Sequence, residues 1–286
     1  MPSSITHEMI AREAKDLLPD ELQQAVERAP DYYFLGAQGP DLFFFYAPLN
    51  KKEYNLGKTL HRGKLYLWFS AMLANLKTRP EKDYDKCLAY ALGFCTHLSA
   101  DVAFHPFVYA YLDKTGAHKR VHQQIENDWD VYFLKKLRDV SAFRYRFPFS
   151  PKKIAREGVL FRFVRDCAVS LNRTVKKGAF KRALWMFGWY LKHFHRERLQ
   201  YLRPVGLKRL YVRKTPDEEI LNGALFPELT DGKAQSADEL FSFAVRGSAA
   251  RMCDFCNALE WNASLNETEF SRHLLTGEPT SNLTSF

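Results

Sequence analysis

The chain has 286 residues, 46% of them hydrophobic and 15% aromatic, and a formal net charge of +9. That apolar share is ordinary for a globular protein with a sizeable core, whereas five scattered Cys exclude a disulfide framework. The longest uninterrupted apolar stretch, Ala183 to Leu191, falls far short of the roughly 20 residues that span a bilayer. The start, Met-Pro-Ser-Ser-Ile-Thr-His, has neither the basic nor the apolar region of a signal peptide, so a reduced, cytoplasmic protein is expected.

Helical periodicity dominates. Ser3 and Ser4 precede a pattern with Ile5, Met9, Ile10, Ala14 and Leu17 on one side, and Pro19 ends it. Residues 20–28 read as a second, short helix. Residues 30–57 read as irregular, because Gly36, Gly39, Pro40, Pro48, Asn50 and Gly57 punctuate them. Further helices are expected over about 58–78, 83–103 and 117–138, with a new helical turn starting at Pro106. Two aromatic, basic helices follow at about 153–174 and 178–199, then a looser section over 200–235. Ser236 caps a helix over 237–260, and a short helix lies near 267–275. No strand alternation is long enough for a sheet. The expected fold is all-α, a single domain over 1–286 whose helices surround a central polar site. Its first half, 1–138, carries the candidate ligands; 139–286 carries basic helices and an acidic C-terminal part.

Charge is unevenly placed. Residues 132–214 hold 23 Lys/Arg against 4 Asp/Glu, whereas residues 215–286 hold 4 against 12. Such a basic middle suits an anionic partner, either lipid headgroups or nucleic acid. The equally weighted alternative is that the acidic tail folds back onto it.

Potential metal ligands recur in order: Asp41, His61, His97, Asp101, His105, His122 and Glu126, with His7 upstream. His97–Asp101 and His122–Glu126 are spaced four apart, which on a helix stacks two side chains on one face within reach of one ion. A single such pair is usually a surface hydrogen bond. The conjunction, with His97 and Asp101 set among Leu98, Val102 and Phe104, places the pair toward the interior, where unpartnered His and Asp are costly. Imidazole with carboxylate and no thiol points to zinc rather than magnesium or calcium.

The ordered fragments Thr-His-x2-Ile-Ala, Gly-Pro-Asp, Leu-His-Arg, Leu-Gly-x3-His-Leu-x2-Asp, His-Pro-Phe and His-x2-Ile-Glu, over residues 5–130, resemble the bacterial zinc-dependent phospholipase C family. The resemblance implies one zinc held by Asp41, His61, His97 and Asp101, and a second held by His105, His122 and Glu126. A third would use His7, a bridging Asp101 and a processed N-terminal Trp; this chain begins Met-Pro, so two zinc ions are expected. The implied activity is hydrolysis of a phospholipid or related phosphodiester by metal-activated water, with Asp41 as ligand and general base at the edge of the site. Asp128 and Asp130 are candidates to hold ligand imidazoles, solvated charge being the favoured reading for Asp128. His118 reads as a surface residue.

Phe43, Phe44, Phe45, Tyr46 and Tyr54 form either an aromatic wall for a choline-like cation or, the preferred reading, core packing. Phe161–Tyr201 mixes Arg and Lys with Trp185, Phe187, Trp189 and Phe194. It reads either as a buried stripe with solvated charges or as a membrane-surface helix, and an anionic membrane contact through residues 139–214 is a candidate partnership. Basic-aromatic surfaces also bind single-stranded nucleic acid. His193 and His195 cannot face one way on a helix, and Cys253-x-x-Cys256 reads as structural. The competing functions are a single-strand zinc nuclease and a non-catalytic cytoplasmic metal-binding scaffold docking an anionic partner.

Overall fold

A computed structural model describes residues 4–46, 55–116, 120–142, 144–193 and 236–278. It is all-α, with no strand among those residues. In chain order the helices are α1 (Ser4–Lys15), α2 (Asp20–Arg28), α3 (Pro30–Gly36), a 3-10 helix (Gly39–Phe45), α4 (Leu56–His61) and α5 (Leu65–Lys77). Then come α6 (Glu81–Thr115), α7 (Arg120–Arg138), α8 (Pro151–Glu157), α9 (Val159–Val169), α10 (Lys177–His193), α11 (Ala237–Glu260) and α12 (Glu267–Phe270). Side-chain caps start several of them: Asn55, Ser150, Ser236 and Asn266 each accept from the amide three residues on.

The organising element is α6. At 35 residues it is about 50 Å long, and α1, α2, α3, α5, α7, α9 and α11 all pack on it. Its span Glu81–Asp113 is long and apolar enough to cross a membrane by length and composition, yet that apolar window is wholly buried inside the protein. It is a core helix, and its neighbours supply the apolar surround a lipid would. Trp68 and Phe69 of α5 pack against Phe94 of α6, and Phe69 also meets Phe255 of α11 and Phe270 of α12. The C-terminal helices thus share one core with the ligand-bearing half.

Several expected boundaries differ. Residues 30–45 are helical, not irregular. The glycines there serve close approach: a Cβ on Gly36 would sit 2.2 Å from the Tyr90 carbonyl oxygen, and one on Gly93 2.0 Å from that of Tyr33. Helices α3 and α6 therefore cross backbone to backbone. The helix expected over 58–78 is two, broken at Gly63 with φ +112°, and that over 153–174 is two, broken at Gly158 with φ +70°. No new helix starts at Pro106, because α6 runs through it. Burial of Phe104, Phe107 and Val108 on either side outweighs the roughly 3 kcal/mol cost of an interior proline. The expected sections over 117–119 and 194–235 lie outside the described residues, and the last short helix covers only Glu267–Phe270.

Candidate metal centre

The close α3–α6 crossing sets the geometry. It carries the chain from Gly36 directly onto the face of α6 that bears His97. The Ala37 carbonyl lies 3.3 Å from His97 Nδ1. Gly39, with φ +48°, then passes beneath the ring, where any Cβ would fall 2.2 Å from His97 Cγ. Two residues later the 3-10 helix delivers Asp41. This carboxylate is 2% exposed, so it is buried on a helical turn and not on a loop at the edge of the site as the sequence suggested.

Asp101 is the hub. His7 Nε2 lies 3.3 Å from its Oδ1, and its Oδ2 is 3.1 Å from His97 Nε2, 3.6 Å from His61 Nε2 and 3.5 Å from His105 Nδ1. Asp41 Oδ1 is 3.3 Å from His61 Nε2. Glu126 Oε1 is 2.9 Å from His122 Nε2 and 3.3 Å from His105 Nε2. The rings of His7 and His97 stack with centroids 4.3 Å apart. All eight expected ligands are thus brought together, from α1, the 3-10 helix, α4, α6 and α7. They fall into three groups whose donor atoms lie within 4.8 Å of one another: His7/His97/Asp101, Asp41/His61/His97 and His105/His122/Glu126.

The rings are aimed from behind. His61 Nδ1 donates to the Gly57 carbonyl at 2.7 Å, and His105 Nδ1 to the Leu274 carbonyl at 2.7 Å. Both bonds turn Nε2 toward the centre, the arrangement that orients metal-binding imidazoles. Asp130 works differently from the imidazole clamp expected of it. It accepts from Thr6 N at 2.7 Å and Thr6 Oγ1 at 2.8 Å, a carboxylate at the first turn of α1. It thereby seats the helix that presents His7. Asp128 is fully buried and accepts from Gln124 at 3.0 Å, which overturns the solvated-charge reading.

The electrostatics call for a cation. Burial raises the Asp101 carboxyl, but the charges of His105 and His97 and the hydrogen bonds from His7 and His97 outweigh it and hold it well below the usual range. Glu126 is likewise raised by burial and pulled down further by His122 and His105. Burial lowers His105, yet the Asp101 charge and the Glu126 hydrogen bond lift it to about 9. At His97 burial prevails and the ring stays low. These two buried carboxylates therefore depend on cationic company. Both oxygens of Asp41 and Glu126 Oε2 are buried without a hydrogen-bond partner. A cavity of about 20 Å³ bounded by His7, Asp101, His105 and Glu126 has room for one small ion. Nitrogen and carboxylate donors of this kind, with no thiol, fit zinc.

A family model of zinc-dependent phospholipase C matches residues 6–183. The chain belongs to this family. No curated protein matches it, and no solved structure does. All eight clustered residues of this zinc-dependent phospholipase C family member lie inside the matched span. Zinc is the family's metal, and the buried His and Asp groups are built to take it.

Some residues that touch this centre or feel its charges escaped the sequence reading. Tyr109 lies one helical turn after His105, its ring 5.3 Å from that of His122; its hydroxyl is pushed up to about 12 by burial and by Glu126 and Asp101. Its spacing of four from His105 was the available signal. Burial raises Tyr190 of α10 well above its ordinary value, helped by the charges of Asp130, Glu126 and Asp41. His273 is lowered by burial and by the nearby His61, Arg62 and His105. No local motif marked those two.

Among the aromatics, Phe43 packs on Trp68 and Phe180, and Phe45 on Phe187 and Tyr190. Both belong to the core, as preferred. Tyr46 also packs on it, and its hydroxyl accepts from the Lys176 amide. Phe44 stands apart, with its ring 5.2 Å from His61. Cys253 and Cys256 are half-buried free thiols on α11. Tyr54, His118, Phe194 and His195 lie outside the described residues.

Proposed function

We propose that the protein is a zinc-dependent phosphodiesterase of the phospholipase C type, hydrolysing a phospholipid. The observation that carries this reading is the convergence of four imidazoles on Asp101, in a chain of this family. Asp41, His61, His97 and Asp101 would hold one zinc, and His105, His122 and Glu126 a second. His7 with Asp101 supplies a partial third position. Bound zinc would neutralise the phosphate and make a bound water acidic enough to act at neutral pH.

The chain's own groups supply the rest. Asp41, whose two oxygens are buried without a hydrogen-bond partner, takes the proton of the attacking water. A bond forms from that water's oxygen to phosphorus as the bond from phosphorus to the diacylglycerol oxygen breaks, and the leaving oxygen takes up a proton. Phe44 and Tyr109 flank the imidazoles of His61 and His122. Five free thiols support a reducing compartment, for which the cytoplasm is our proposed location.

The test is hydrolysis of phosphatidylcholine by zinc-loaded protein, followed by release of phosphocholine and diacylglycerol. Chelation should abolish it and zinc restore it. Asp41→Asn should lower kcat by roughly 100- to 10,000-fold. Faster cleavage of single-stranded DNA than of lipid would replace this reading with the nuclease. Stoichiometric zinc without turnover on either substrate would leave the metal-binding scaffold.

A further inference from the structure

The second charged region of the molecule is a cavity of about 490 Å³ between α8, α9 and α10. Arg156, Arg162, Arg165, Lys177 and Lys181 line it, against the single carboxylate of Glu157. That carboxylate is already engaged by Lys86 at 2.6 Å and Tyr32 at 2.9 Å. Asp83 and Asp166 hold Arg162 and Arg165 from outside the cavity. Arg156, Lys177 and Lys181 have no acidic partner among the described residues. Like charges gathered around one cavity repel each other, and an anion placed among them relieves that repulsion. Among the described residues, the ion pair joining the acidic tail to the basic middle is Lys136–Asp238, away from this cavity.

The floor beneath these cations is apolar, formed by Ile154, Phe180 and Leu184, each about 1% exposed. Beside it, α10 turns two large aromatics outward. Trp185 is 53% exposed and Trp189 46%, and they follow Lys181 at successive intervals of four on one face of the helix. The Lys152 ammonium lies 5.6 Å over the Trp185 ring. Tryptophan at this exposure, interleaved with lysine, suits the headgroup level of a bilayer. A binder of single-stranded nucleic acid needs an extended cationic channel with stacking platforms along it, whereas here the cations close around one compact cavity.

We propose that the outer face of α8, α9 and α10 docks the protein on an anionic phospholipid bilayer, with a headgroup phosphate in the α8–α10 cavity and Trp185 and Trp189 at the interface. It is a non-catalytic lipid site, distinct from the metal centre, and it rests on the phospholipase reading only in choosing lipid over other anionic surfaces. The same helix links the two. The inner face of α10 touches the 3-10 helix that carries Asp41, through Phe43–Phe180 and Phe45–Phe187. A bilayer held on the outer face is therefore one helix away from the catalytic turn.

The test uses the full zinc-loaded chain with Asp41→Asn, so that vesicles survive the assay. It measures flotation with vesicles of phosphatidylglycerol and phosphatidylcholine in equal parts, and with phosphatidylcholine alone. We expect binding to the mixed vesicles that falls with salt, with a tryptophan emission blue shift that Trp185→Ala/Trp189→Ala removes. Lys177→Glu/Lys181→Glu should weaken binding at least roughly tenfold, while Lys82→Glu, an exposed control on α6, should not. In the wild-type background both groove variants should keep full hydrolysis of a soluble phosphodiester, which shows that they fold. Undiminished flotation of the lysine variant, equal binding to neutral vesicles, or preferential release by single-stranded DNA would overturn the proposal. Docking without any hydrolysis would sink the phospholipase reading alone; hydrolysis without groove-dependent docking would sink this one alone.

Discussion

The metal centre and the α8–α10 face handle charge in opposite ways. At the centre, anions and imidazoles are buried together, and backbone carbonyls fix two of the rings from behind. At the outer face, cations stand over an apolar floor, and among the described residues no acid matches several of them. The first region is organised for a small cation held tightly, the second for a large anion held loosely. Rigidity accompanies the first because an unpaired buried charge is severely penalised. An exposed cation carries almost no such penalty, so nothing inside the protein forces the second region to be complete by itself.

Several experiments would sharpen or break that contrast. Removing zinc should have the largest effect. It should abolish hydrolysis and cost several kcal/mol of stability, read as a fall in the thermal midpoint that zinc reverses, while leaving vesicle flotation nearly unchanged. Next is Asp101→Asn, which removes the charge shared by His7, His61, His97 and His105. Zinc affinity by competition titration should drop by at least about 100-fold. Gly39→Ala follows: its methyl group would collide with the His97 ring, so we expect roughly 1–3 kcal/mol of destabilisation in urea unfolding, with loss of activity. Asp130→Asn should cost about 1 kcal/mol through the α1 cap and weaken zinc retention without touching any ring.

The smallest effect is at Glu157. Burial raises its carboxyl, but hydrogen bonds from Lys86 and Tyr32 outweigh it and hold it below its ordinary value. A depressed carboxyl contributes stability that is fully present above its unfolded value near 4.5 and is lost as pH falls through the folded one. Acid titration of unfolding should show a contribution below about 1 kcal/mol, absent in Glu157→Gln.

How legible all this was depended on the distance over which each contact acts. His97 with Asp101 and His122 with Glu126 could be paired because one helical turn places them together. Asp41 and His61 were found through short fragments, but the delivery of Asp41 to the His97 face of α6 rests on the α3–α6 crossing. There Gly36 and Gly39 misled: read as breakers, they permit two backbones to touch. Pro106 misled for a related reason, since only burial on both sides explains a helix that continues through it. His273 and Tyr190 feel the charges of the centre from distant segments, and spacing carries no trace of that. On the basic face, composition announced the charge, but only folding shows which of Trp185, Phe187 and Trp189 point outward.

One small contact has a larger meaning. Leu274 accepts from the His105 ring with its carbonyl and donates its amide to the His61 carbonyl at 3.3 Å. Near the opposite end of the chain, His7 closes the same centre. The zinc pocket therefore joins segments that lie far apart in the sequence, and it cannot be finished while residue 274 is still inside the exit tunnel. Contacts this far apart in sequence also form late in folding, because the closing of a long loop must come first. A chain of this kind acquires full zinc affinity only once residue 274 can pack on His61 and His105, so a product shortened before it carries the motifs without the lipid-cleaving chemistry proposed for them.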